Sequence, residues 1–175
     1  MIKIRKSDKL FMAIDFCFDC LLPEYSGALM YKTVMEIKRD SVACTDGARF
    51  HFYKINFHHG LTDGYYNVKK INQNMYAITL SDFDKYYDYP KYQFLFNETY
   101  ETDNYLSVNN EMLWSDIVFK LAAQTDCEKK CYNVEFLKPL VGDDWKIYAP
   151  VYEMERLTAT SNDGLKTAFI MPIKL

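Results

Sequence analysis

Phe169-Ile170-Met171-Pro172-Ile173-Lys174-Leu175 is the stretch from which the fold of this 175-residue chain is read. An apolar run of strand-like composition passes through Met-Pro and ends on a basic residue and Leu. Just before it, Asn162-Asp163-Gly164 supplies a turn, because Asp-Gly between apolar runs suits the backbone of a tight hairpin. Strands are expected over 145–152, 156–160 and 167–173. A short helix over 133–141, with Pro139 near its end, opens this group.

The front of the chain follows the same plan. Residues 2–5 read as a strand. Ser7 or Asp8 caps a helix that runs to about residue 22, where Pro23 stops it. Apolar residues nearly encircle this helix, which implies heavy burial or an interface. Asp8, Asp15 and Asp19 are spaced seven and four apart and share its remaining face. Strands follow over 28–37, 41–44 and 48–57, joined by Arg39-Asp40 and Thr45-Asp46-Gly47, and then over 65–69 and 75–80. In the middle, Ser81-Asp82 caps a short helix to Tyr87, 92–96 and 105–108 read as strands, and 110–124 has helical spacing of Leu113, Trp114, Ile117, Val118 and Leu121.

Both ends therefore carry a strand-and-helix unit followed by three strands, an internal duplication. The expected fold class is α+β, with duplicated β-α-β-β-β units whose antiparallel sheets are backed by helices. The expected organisation is one domain over 1–175: a first half over 1–80, a variable insertion over 81–130 and a second half over 131–175.

Composition narrows the function classes. Apolar residues make up 49% and aromatics 17%, with 15 Tyr and 12 Phe, so the chain is globular and strand-rich. A net charge of −3 gives no general pull toward nucleic acid or anionic membrane. No run approaches the ~20 apolar residues of a membrane span, and no signal peptide is visible. Five Cys without a secretion signal point to a reducing cytoplasm.

Residues 132–137, Leu140 and the closing Met171-Pro172-Ile173-Lys174-Leu175 resemble the last half-domain of the bacterial DNA polymerase sliding clamp, the β-clamp. Lys174 stands where that family has Arg. Val42-Ala43-Cys44-Thr45-Asp46-Gly47-Ala48-Arg49 is similar to the clamp's Ala-Thr-Asp-Gly-His-Arg hairpin, with Ala48 in place of His. The two segments cover about a third of the chain, in the family's order. The resemblance implies a DNA-clamp-like domain and a non-enzymatic accessory factor of DNA replication or repair. Its implied partners are double-stranded DNA and peptides of polymerases or repair proteins. Encircling DNA takes about six such domains, so it also implies a homo-oligomer of cyclic symmetry. A β-clamp subunit has three such domains, and its helices present Lys and Arg to DNA; here the first helix shows Asp8, Asp15 and Asp19. A clamp-fold module that binds a protein or peptide without DNA is the alternative.

In that family the terminal strand borders a hydrophobic groove for partner peptides, and the matching positions are Phe169, Met171 and Pro172. The same residues also read as alternating core positions of a last strand. Candidate nucleic-acid contacts are Lys69, Lys70, Lys120, Lys129 and Lys130, with Tyr65, Tyr66 and Tyr76 as interleaved aromatics. Cys17-x-x-Cys20 and Cys127-x-x-x-Cys131 would supply four thiolates for zinc. Buried reduced thiols are the simpler reading, so no metal or cofactor is expected. His51, His58 and His59 lie close in sequence but have no Asp or Ser spaced for a triad, and no Gly-rich phosphate loop exists. No catalytic site is expected.

Overall fold

Asp8 decides how the chain turns from its first strand into its first helix. Its carboxylate accepts the Arg5 backbone N–H at 2.7 Å, so it closes the turn instead of capping the helix. The expected cap at Ser7 or Asp8 is therefore corrected: helix α1 spans Leu10–Phe18, and Lys9, already helical, precedes it with no side-chain cap. The computed structural model describes residues 1–23, 27–96, 105–124, 132–148 and 156–172. The chain forms two compact units, Met1–Lys91 and Tyr92–Leu175.

In the first unit, strand β1 (Ile2–Arg5) precedes α1. A 3-10 segment (Gly27–Thr33) leads into β2 (Met35–Lys38), β3 (Ser41–Thr45) and β4 (Arg49–Lys54). The hairpin β5 (Gly64–Asn72) and β6 (Met75–Leu80) follows, then a single turn over Phe83–Lys85. The strand expected over 28–37 is corrected to the 3-10 segment plus the four residues of β2. The run Ala-Leu-Met-Tyr-Lys-Thr-Val is apolar without a clear period, so helix and strand could not be separated by pattern. The Thr33 hydroxyl donates to the Met30 carbonyl at 2.9 Å and closes the segment.

The sheet of this unit runs β1-β6-β5-β2-β3-β4 and is antiparallel throughout. Helix α1 lies on one face, against β3, β4 and β1. Leu10, Phe11, Ala13, Ile14, Phe16 and Cys17 are buried there, and a large apolar side chain fully buried this way contributes about 1.5–3 kcal/mol. The register puts Met35, Ile37, Val42, Cys44, His51 and Tyr53 on the α1 face. Part of the opposite face is covered by an aromatic group: Tyr65 packs on Phe83 at 5.0 Å and on Tyr89 at 5.2 Å.

The second unit opens with a 3-10 turn (Gln93–Phe96), where a strand was expected. The Leu95 N–H reaches the Tyr92 carbonyl at 2.9 Å, within the segment, so its groups are not free for a sheet. Strand β7 (Leu106–Val108), helix α2 (Trp114–Gln124), a 3-10 segment (Val134–Leu140), β8 (Trp145–Tyr148), β9 (Leu157–Ser161) and β10 (Lys166–Ile170) complete it. Asn133 caps the 3-10 segment by accepting the Glu135 N–H at 3.1 Å. The sheet order is β7-β8-β9-β10, again antiparallel. Its core holds Ile117, Leu137, Leu140, Trp145, Ile147, Leu157 and Ile170.

The two units repeat one element order, strand, helix, 3-10 segment and three strands. The second copy begins at Leu106, inside the 81–130 segment. One difference separates the copies. In the second unit β7 pairs directly with β8, whereas in the first the β5–β6 hairpin lies between β1 and β2.

Candidate functional site

The duplication extends to the chemistry of the turns. Between β3 and β4, Asp46 accepts the backbone N–H groups of Ala48 at 2.9 Å and Arg49 at 2.8 Å. Its other oxygen pairs with Arg49 Nε at 2.9 Å. The Thr45 hydroxyl donates to the Arg49 carbonyl at 2.7 Å and accepts the Gly47 N–H at 3.0 Å. Between β9 and β10, Asp163 accepts the Leu165 N–H at 2.9 Å and the Ser161 hydroxyl at 2.6 Å. Burial pushes the Asp163 carboxyl up, but the Ser161 hydroxyl and the Leu165 N–H outweigh it and hold the group below its ordinary range. Both turns use Thr or Ser, then Asp, then a left-handed Gly.

Gly47 sits at φ +88°, and a Cβ there would lie 3.1 Å from Lys32 Nζ and 3.2 Å from the Tyr31 hydroxyl. Gly47→Ala is expected to lower stability by about 1–2 kcal/mol, from the left-handed backbone alone. Urea unfolding of the variant beside the parent protein measures it.

Of the three terminal residues, Phe169 is only 2% exposed. Its ring meets Phe96 at 5.4 Å and carries the Arg156 guanidinium over its face at 4.9 Å. Arg156 also donates to the Leu95 carbonyl at 2.8 Å. Met171 is 45% exposed, and Pro172 is half-buried. The outer residue of the three is thus Met171, with Phe169 beneath the surface.

The five candidate lysines separate. Lys70 turns toward α1: its ammonium lies 3.3 Å from Asp15 and over the rings of Phe18 and Tyr76. Lys69, one residue earlier on the strand, points to the other face and is exposed. Lys120 is exposed on α2, and Lys129 and Lys130 lie outside the described residues. Tyr66 and Tyr76 are buried on the α1 side, and Tyr76 donates its hydroxyl to Asp15. Burial, with Glu36 beside it, pushes the Tyr65 phenol up to about 12. None of these three aromatics is an open stacking platform.

The exposed face of α1 is apolar and acidic, and that of α2 is apolar with one acid and one base. On α1 the outward residues include Met12, 57% exposed, and Asp15. On α2 they include Phe119, 81% exposed, with Ser115, Asp116 and Lys120.

Cys17, Cys20 and Cys44 are buried free thiols, and burial pushes each well above the ordinary thiol range. Cys127 and Cys131 lie outside the described residues. Among those described, no three His, Cys, Asp or Glu side chains are arranged to hold a metal ion. His51 is fully buried and stacks on Phe16 at 4.6 Å. Its Nδ1 is 2.8 Å from the Phe16 carbonyl, which can only accept, so Nδ1 carries the proton. Nε2 is then a bare acceptor with no partner among the described residues. Burial, the largest influence, holds the imidazole down at about 4, against a smaller upward pull from the Phe16 carbonyl. His59 accepts the Leu61 N–H at 3.2 Å on one ring nitrogen and reaches the Lys38 carbonyl at 3.0 Å with the other, which makes it part of a loop. Among the described residues, no helix is long and apolar enough to cross a membrane.

No family model matches the chain, and no curated protein matches it in sequence. Solved structures do. DNA polymerase III subunit beta from Pseudomonas aeruginosa superposes with a TM-score of 0.60 over 99% of this chain and 66% of that one, at 12% identity. The C. crescentus beta sliding clamp gives a TM-score of 0.60 over 99% of this chain and 65% of that one, at 9% identity. The Helicobacter pylori beta clamp gives 0.58 over 95% and 64%, at 12% identity. The chain therefore spans just under two-thirds of the length of these clamps. With both strand-helix units, the two Asp-Gly hairpins and this superposition in hand, the fold of the chain is that of the bacterial DNA polymerase sliding clamp.

Proposed function

We propose that this protein is a non-catalytic, sliding-clamp-like accessory factor of DNA replication or repair that holds DNA, a partner protein, or both. The observation that carries the reading is the superposition on sliding clamps over nearly the whole chain. Fold alone does not fix function, so the site chemistry must agree. Met171, exposed beside Pro172 and backed by buried Phe169, has the character of an adaptable apolar subsite for a peptide anchor. In this reading the protein works in the cytoplasm and assembles into a homo-oligomer, because encircling DNA takes about six such domains in a closed ring.

The test is primer extension by the host's replicative polymerase with and without the protein. Longer products per binding event are expected, and Met171→Asp is expected to remove the effect while leaving the unfolding transition in place. No change in product length with the parent protein would overturn the clamp reading. A second reading, a clamp-fold module that binds a peptide but not DNA, draws on the apolar and acidic outward face of α1. It predicts partner capture that Met171→Asp abolishes, without any gain in product length.

A further inference from the structure

The two faces of the first unit differ in charge. On the α1 side, Lys70 is paired with Asp15. On the opposite side the strand register gathers residues that are far apart in sequence. Lys3 on β1 and Lys69 on β5 both pair with Ala77 on β6. Ile4 is buried on the α1 side, so its neighbours Lys3 and Arg5 point away from α1. Lys3, Arg5 and Lys69 are all exposed. Among the described residues none of their side chains makes an ion pair.

Neighbouring strands lie about 4.8 Å apart, so Lys3 and Lys69 flank Ala77 across about 10 Å, and Arg5 follows Lys3 at about 6.6 Å along β1. Strands β1, β5 and β6 contain no Asp or Glu. Glu36 on β2 shares this face beyond Tyr65 and is paired with Lys38 at 3.0 Å, and Asp8 is occupied by the Arg5 backbone N–H. Further along this face Asn67 and Thr79 pair with each other, and beyond them Tyr65 lies against Phe83 and Tyr89. The first unit as a whole carries 13 basic against 11 acidic residues, and the second carries 8 against 13.

We propose that this face binds the phosphate backbone of single-stranded nucleic acid through Lys3, Arg5 and Lys69, with Asn67 and Thr79 offering hydrogen bonds alongside. The inference rests on the reading that the protein holds nucleic acid, and it moves the contact from the helices to the β1-β6-β5 part of the sheet face opposite α1. A single strand fits better than a duplex. A flat strand surface has no helix or ribbon to enter a groove about 12 Å wide, whereas the phosphates of one strand can lie across three cations. The carboxylates outward on α1 would repel the same ligand.

The experiment is fluorescence anisotropy of the full chain with a labelled oligothymidylate and with a duplex, over a range of salt. Three phosphate contacts predict a slope of log affinity on log salt of about −2 for the single strand. The variant Lys3→Gln/Arg5→Gln/Lys69→Gln is expected to bind about tenfold or more weaker and to lose that slope. A charge-matched control, Lys9→Gln/Lys70→Gln/Lys120→Gln, is expected to change affinity by less than about threefold, since those lysines stand elsewhere. Lys69→Glu alone serves as a second variant if the triple variant fails to fold. Equal losses in both triple variants, tighter binding of the duplex than of the single strand, or full displacement by polyglutamate would each overturn the proposal. If the parent protein binds no nucleic acid, the DNA-holding reading falls with it. If it binds and the sheet-face variants bind equally well, only this inference falls.

Discussion

Replacing Phe169 by alanine will destabilise the protein by about 3–5 kcal/mol, the range for removing a buried aromatic ring from a packed core. The side chain is 2% exposed and is held from two sides, by Phe96 and by the Arg156 guanidinium. Removal leaves a cavity and also strips Arg156 of the ring it lies over. Urea denaturation at neutral pH reads the loss as a shift in midpoint at constant slope. Met171→Ala, two residues further on and 45% exposed, should cost less than about 1 kcal/mol. The pair separates structure from recognition at the end of β10. A loss at Phe169 as small as that at Met171 would mean that the ring lines an open surface and not a core.

Acidification will weaken the first unit through His51. The imidazole titrates near 6.5 in the unfolded chain and is held at about 4 in the folded one. Between those values the unfolded state binds the extra proton, so stability falls as pH falls. The full contribution is present above pH 6.5, and about 3 kcal/mol of it is gone once pH reaches the folded value. The physical reason is plain in the geometry. A proton on Nε2 would create a donor with no acceptor, in a fully buried ring stacked on Phe16. The check is the unfolding free energy of the parent and of His51→Gln measured from pH 7.5 downward. The parent should lose stability through the window from 6.5 toward 4, and the variant should lack that component. Parallel curves would refute the assignment.

Turn chemistry was the most legible part of the sequence. Thr45-Asp46-Gly47 and Asn162-Asp163-Gly164 announced their hairpins, because a carboxylate accepting backbone N–H groups and a left-handed Gly are local requirements. Asn133 and Pro139 likewise marked a short helical segment. The runs 28–37 and 92–96 were misread because their apolar residues satisfy a strand and a tight helix equally well. Alternation alone implied that Lys69 and Lys70 point to opposite faces. It did not say which one α1 would claim, since that depends on the pairing of β5 with β6. Lys3 and Arg5 could not be joined to Lys69 for the same reason: they lie on β1, far from β5 in sequence, and only the register of both strands on β6 unites them. His51 stood out only as one of three histidines close in sequence, and its burial could not be read without α1.

The β5–β6 hairpin that separates β1 from β2 has a consequence for how the protein is made. The second unit can zip neighbour to neighbour as it leaves the ribosome. Strand β1 cannot, because β6, its partner among the described residues, ends at Leu80. At about 5–20 residues per second, that partner emerges several seconds after the strand itself. Throughout that interval Ile2 and Ile4 belong to an unclosed edge, the kind of template that invites intermolecular pairing. Lys3, Arg5 and Lys6 alternate with or follow them, and their charge guards the strand until the sheet can take it in.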